Sequence, residues 1–168
     1  MKTIINLILL TVLLPSITYG EDKHSHEMSK TPTGVETLSH GLRDLLSQEM
    51  LALQKGMMSI IPAYISGNWA EIEHTAGKMK NSYILKQSLS DQQKAELHST
   101  LSSAFIEKDQ RFHYLAGMLE HAAKNKKPEL INFYFSEMNE SCGACHASFA
   151  THKFPAFLPS AAMGTHQH

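Results

Sequence analysis

Four stretches of this chain repeat their apolar residues at the spacing of a helix, and each is bracketed by residues that start or stop one. In the first, Val35, Leu38, Leu42, Leu45, Leu46, Met50, Leu53, Met57, Met58 and Ile61 form one stripe. Thr33-Gly34-Val35-Glu36 fits a capping box at its start, Pro62 should kink or end it, and Gly67 should close the segment. Asn68-Trp69-Ala70-Glu71 opens a second helix, expected to run to about Leu85. Ser90-Asp91-Gln92-Gln93 opens the third and longest, with Leu97, Leu101, Ala104, Phe105, Phe112, Leu115, Met118, Leu119 and Ala122 on its buried side and Asn125-Lys126-Lys127 at its end. Pro128 suits the first turn of a last helix carrying Leu130, Ile131, Phe133, Tyr134, Met138 and both cysteines. No run alternates at period two and there is no internal repeat. The expected fold is all-α, an antiparallel four-helix bundle.

The N-terminus reads differently. Met1-Lys2 gives a positive start, residues 4–14 are apolar, Pro15-Ser16 break the run, and Thr18 and Gly20 are small residues before Glu21. These are the parts of a secretory signal peptide, and the run is short of the ~20 residues of a membrane anchor. The expected organisation is a signal peptide at 1–20, a disordered lead-in at 21–34, the helical domain at 35–154 and a flexible tail at 155–168. The mature protein is then exported, with the periplasm as its compartment.

Composition excludes several function classes. Lys and Arg number 15 against 16 Asp and Glu, a formal charge of −1, so no basic surplus exists to neutralise nucleic-acid phosphates. Two cysteines are too few for a disulfide scaffold. No nucleophile elbow, zinc-protease helix or phosphate loop occurs, so an enzyme is not expected. The unusual counts are 11 His and 9 Met, both side chains that can ligate iron.

The two cysteines lie in Cys142-Gly143-Ala144-Cys145-His146. This is the C-x-x-C-H pattern of covalent c-type haem attachment. Two thiols at this spacing can add to the two haem vinyl groups, and the next residue, His146, can then turn an imidazole nitrogen onto the iron. Gly143 and Ala144 are small enough to let the backbone lie along the porphyrin edge. Three other uses of the pair stay open: a thioredoxin-like redox dithiol, which belongs in a βαβ unit; a structural disulfide; and a zinc site, which needs two further ligands. Of the remaining histidines, His40, His74, His98, His113 and His121 are expected on helix surfaces, and His24, His26, His166 and His168 in the two tails.

A haem motif near the end of a four-helix, exported chain resembles the class II c-type cytochromes, the cytochrome c′ family. The resemblance spans about residues 35–152 and is most specific at Cys142, Cys145, His146 and Phe149. It implies one covalent haem c per chain, lying between the first, third and last helices, with His146 as proximal ligand. Low-spin members take a distal ligand from a first-helix Met seven residues before a Met-Met pair. Met50 stands seven before Met57-Met58 and is the matching candidate. Arg43, about one helix turn from the haem-facing stripe, is a candidate to pair with a propionate by a charge-assisted bond, and solvation is the equal alternative. Family members usually carry a basic residue four positions after the haem histidine, whereas here that position is Ala150 and the nearest cation is Lys153.

The implied function is one-electron transfer to periplasmic redox partner proteins, with a homodimer through the first helix as a further family trait. Two rivals differ in kind. If Met50 only packs, the iron is five-coordinate and binds nitric oxide or carbon monoxide. If Cys142 and Cys145 pair with each other, the chain is a haem-free helical metal-binding or interaction protein.

Overall fold

The computed structural model describes residues 34–82 and 89–158. The expected signal peptide, nearly all of the lead-in, the end of the second helix at Leu85, and residues 159–168 of the tail lie outside the described residues. Those described form an all-helical bundle of five α-helices: α1 (His40–Ile65), α2 (Trp69–Lys80), α3 (Asp91–Thr100), α4 (Ser103–Lys124) and α5 (Pro128–Phe149). Single 3-10 turns at Val35–Thr37 and Pro155–Phe157 flank them. No described helix is long and apolar enough to cross a membrane.

The centre of the bundle is α4, which packs along α2 on one side and α5 on the other, while α1 lies against α2 and meets α5 only lightly. Small residues make the α2–α4 approach close: a methyl group added to Gly77 would sit 2.9 Å from Oε1 of Glu120. Lys80 Nζ bridges to Glu120 at 2.9 Å, and His113 Nδ1 lies 2.7 Å from the carbonyl oxygen of Met79, so charge and hydrogen bonding clamp the same pair. Arg111 bridges α4 to Glu137 of α5 at 3.1 Å.

The apolar interior comprises two clusters rather than one. The larger joins Leu53, Ile60, Ile72, Met79, Phe112, Leu115, Leu119, Ile131 and Met138, with Trp69 and Tyr64 packed edge to face at its border. The smaller joins Leu38, Leu42, Leu46 and Leu101, with Leu97, Phe105 and Ile106 against it.

Helix boundaries depart from the sequence expectation in four places, each for a local reason. Residues 35–37 form a separate 3-10 turn, because Gly34 turns the chain at φ +89° and Leu38 is extended, which carries its side chain into the smaller cluster. The helix proper starts at His40, and the Thr33 half of the expected capping box lies outside the described residues. Pro62 neither kinks α1 into two nor ends it. It occupies the last turn, where the Met58 carbonyl left without a donor is on an exposed residue, and Gly67 at φ +67° then closes the segment.

α2 stops at Lys80, where the Asn81 side chain donates to the Gly77 carbonyl oxygen at 2.9 Å. The expected third helix is broken in two. Leu101 adopts an extended conformation to enter the smaller cluster, and Ser102 caps a new helix by accepting from the Phe105 amide at 3.2 Å.

The buried stripe of α1 is also rotated from the expected one. Leu42, Leu46, Glu49, Leu53, Gly56, Ile60 and Ala63 face inward, while Met50, Met58 and Ile61 are exposed. A carboxylate therefore occupies a core position: Glu49 is 1% exposed and accepts a 2.8 Å hydrogen bond from Ser82 Oγ, which supplies the polar contact a buried acid needs.

Leu119 lies at the meeting of α2, α4 and α5, so Leu119→Ala should cost about 2–5 kcal/mol in urea denaturation. Leu51→Ala, on the exposed face of α1, should change stability by less than about 0.5 kcal/mol.

Candidate haem-attachment site

Helix α5 runs without interruption from Pro128 through the C-x-x-C-H motif to Phe149. The i, i+3 spacing of Cys142 and Cys145 places them one turn apart on neighbouring faces, and His146 follows directly. Both thiols are free and half-buried. Burial raises the Cys142 thiol above its ordinary value, partly offset by a hydrogen bond with its own backbone. Burial raises Cys145 as well, the nearby Asp109 carboxylate and Cys142 add to the effect, and Lys108 opposes it. Burial lowers the His146 imidazole, which favours the neutral ring a metal needs. The two charged residues that influence Cys145, Lys108 and Asp109, lie in the N-terminal half of α4.

The motif sits where the apolar interior divides. On α1 the clusters part between Leu46 and Leu53, and on α4 between Ile106 and Phe112. On α5, Cys142 packs against the larger cluster, while Phe149 meets Phe105, at the border of the smaller one, edge to face at 5.3 Å. Along their own helices, Met50, Asp109, Cys145 and His146 each fall in the interval between the two clusters. Two thiols and a neutral imidazole on one helix, at an interruption in the apolar core, suit covalent attachment of a flat apolar macrocycle. That donor set is also the one the haem chemistry requires.

The other candidates are placed less directly. Met50 stands between Leu46 and Leu53 in sequence but is 36% exposed. Arg43 is exposed on the first turn of α1 and donates to the carbonyl oxygen of Glu36 at 3.3 Å. The Glu36 carboxylate lies 3.2 Å from His152, just past the end of α5, so Arg43 reaches the motif end of the bundle through one intermediary. Among the described residues no group of three or more His, Cys, Asp or Glu side chains is arranged to hold a metal ion.

A concavity of about 640 Å³ is lined by Glu73, His74 and Lys78 of α2 and Glu120 of α4, and by none of the motif residues. No protein-family model matches the chain, and neither a curated protein nor a solved structure does.

Sequence patterns missed Asp109 and Phe154. Asp109 lies on the partner helix, with no motif of its own. Phe154 lies beyond α5, where helical periodicity has ended, yet its ring stacks on His146 with centroids 4.5 Å apart.

Raised thiols react slowly. In the chain with free cysteines, alkylation by iodoacetamide near pH 8 should be slower folded than in denaturant, and Asp109→Asn should speed it at Cys145 by removing a neighbouring negative charge. Because the folded thiols stay protonated after those of the unfolded chain begin to ionise, their contribution favours folding below about pH 8.5 and is lost as pH rises further. A urea midpoint that falls between pH 7.5 and 10, and falls less in Cys142→Ala/Cys145→Ala, checks the sign.

Proposed function

We propose that the protein is an exported mono-haem c-type cytochrome of the class II kind, which carries one electron. The observation that supports this most is the position of the C-x-x-C-H motif on an unbroken helix at the level where the bundle's apolar interior divides. Haem attached there would supply an iron that alternates between Fe(III) and Fe(II). Cys142 and Cys145 anchor the macrocycle to α5 by thioether bonds, and His146 offers its neutral imidazole as proximal ligand.

Apolar clusters flank the motif on both sides, and a haem held between them would meet less solvent rearrangement on electron transfer. Met50, between Leu46 and Leu53 on α1, is the candidate distal ligand, and Arg43 the candidate propionate partner. No acid–base group is required, in keeping with a carrier rather than an enzyme.

The exposure of Met50 favours a second reading, in which nothing occupies the sixth position and the iron binds nitric oxide or carbon monoxide. The partners of a carrier are periplasmic redox proteins. A second copy of the chain is proposed to pair through α1, whose outer face exposes Leu51, Met58, Ile61 and, at 80%, Ile65.

An optical spectrum of protein made in a haem-attaching periplasm, oxidised and reduced, with and without carbon monoxide, tests these readings. Sharp split reduced bands indifferent to carbon monoxide, converted to a carbon-monoxide-sensitive spectrum by Met50→Ala, are expected for the carrier. A broad wild-type spectrum that shifts with carbon monoxide would favour the open site. Absence of visible absorbance, or full colour retained in Cys142→Ser/Cys145→Ser, would sink covalent haem attachment. Met58→Glu should lower the sedimentation coefficient to that of a monomer if α1 is the dimer face.

A further inference from the structure

A histidine that ligates a metal is usually oriented by a hydrogen bond from its other ring nitrogen to a carboxylate, a carbonyl or water. His146 has no such bond to any described residue. The contact its ring does make is with Phe154, whose plane is inclined by only 18° at a centroid separation of 4.5 Å. The offset between an imidazole and a phenyl ring in this arrangement is an attractive one, and it hinders rotation of the imidazole about its own χ2 axis.

Phe154 is held in place by its backbone on both sides. Its amide and that of Lys153 each donate to the Ala150 carbonyl oxygen at 2.9 Å, which folds the chain back at the end of α5. Its own carbonyl then accepts from the Phe157 amide at 3.1 Å in the 3-10 turn begun by Pro155, whose ring fixes φ. Phe157 in turn lies against Gly143, its Cζ 4.0 Å from where a β-carbon would be, inside the haem motif itself. His152 pairs with Glu36 at 3.2 Å and ties the same fold-back to the segment before α1. Residues 150–158 thus fold back across the motif.

Resting on the haem reading above, the geometry points to Phe154 as a positioning residue for the proximal ligand: its stacked ring fixes the plane of the His146 imidazole in place of the usual hydrogen bond. Ala150, one turn beyond His146, supplies the carbonyl oxygen on which this fold-back closes.

Two measurements on the full chain test the assignment. Without haem, Phe154 should displace the His146 ring-proton resonances upfield by its ring current, and Phe154→Leu should abolish that displacement. With haem attached, the pattern of the four haem-methyl resonances of the ferric protein reports the imidazole plane, because that plane directs the unpaired spin.

Phe154→Leu, which keeps apolar bulk but no aromatic face, should reorder these resonances, and Phe154→Trp should restore the wild-type order. An unchanged pattern in Phe154→Leu, on protein that carries haem, would overturn the positioning role and leave the haem reading standing. A wild-type chain that acquires no haem would overturn both, and the ring-current displacement would then report a stack with no ligand to orient.

Discussion

The close approach of α4 to its two neighbours is the contact on which the rest of the molecule depends. Ala116, Ala122 and Ala123 on α4 and Ala76 and Gly77 on α2 keep side chains short where the helices meet, so Leu115, Leu119, Ile72 and Met79 can fill the remaining space. Packing at that density leaves little freedom for rotation or sliding. Because α5 is held against the other side of α4, the direction in which Cys142, Cys145 and His146 project follows from this contact. The motif is local in sequence, but its presentation depends on residues twenty to thirty positions upstream.

Helix α1 is held differently. It leans on α2 and only brushes α5, although α1 and α5 are the helices that carry the candidate distal and proximal ligands. A lightly packed pair leaves lateral space between its members, as the shallow cleft between Ile61 and Ile65 on one side and Ile131 and Phe135 on the other also shows. What fixes α1 in depth is its inward stripe, including Glu49. A buried carboxylate held by Ser82 is directional where leucines are not, and it sets the rotation that turns Met50 toward the surface.

That rotation marks where the sequence stopped being legible. The helical class, the second and last helix starts and the Ser90 cap could be read from residues because each is a local event: a side chain satisfies an amide three positions on, or a proline fits a first turn. The break at Leu101 and Ser102 was equally local, but an unbroken apolar stripe concealed it. The placement of Met50 was not local, since the stripe alone cannot distinguish an inward Met50 from an inward Glu49 when both fit a helical period. Inside the core, Glu49 accepts a hydrogen bond from Ser82, thirty-three residues away, which no local pattern announces. At the site, the two cysteines and the histidine were legible from spacing, whereas Asp109 and Phe154 reach it through folding alone.

The division of the interior also divides the molecule's stability. Helix α3 buries no residue of its own, and the cluster beneath it rests on four buried leucines, two of them at the ends of short extended links. The larger cluster draws on α1, α2, α4 and α5 and includes no residue of α3. Opening of the bundle at the α3 end is therefore a local event with a lower free-energy cost than global unfolding, and it leaves α2, α4 and most of α5 in place. The face of the motif that looks toward Phe105 is bounded by the less stable half of the protein. Backbone amides there should exchange with solvent long before those of α4.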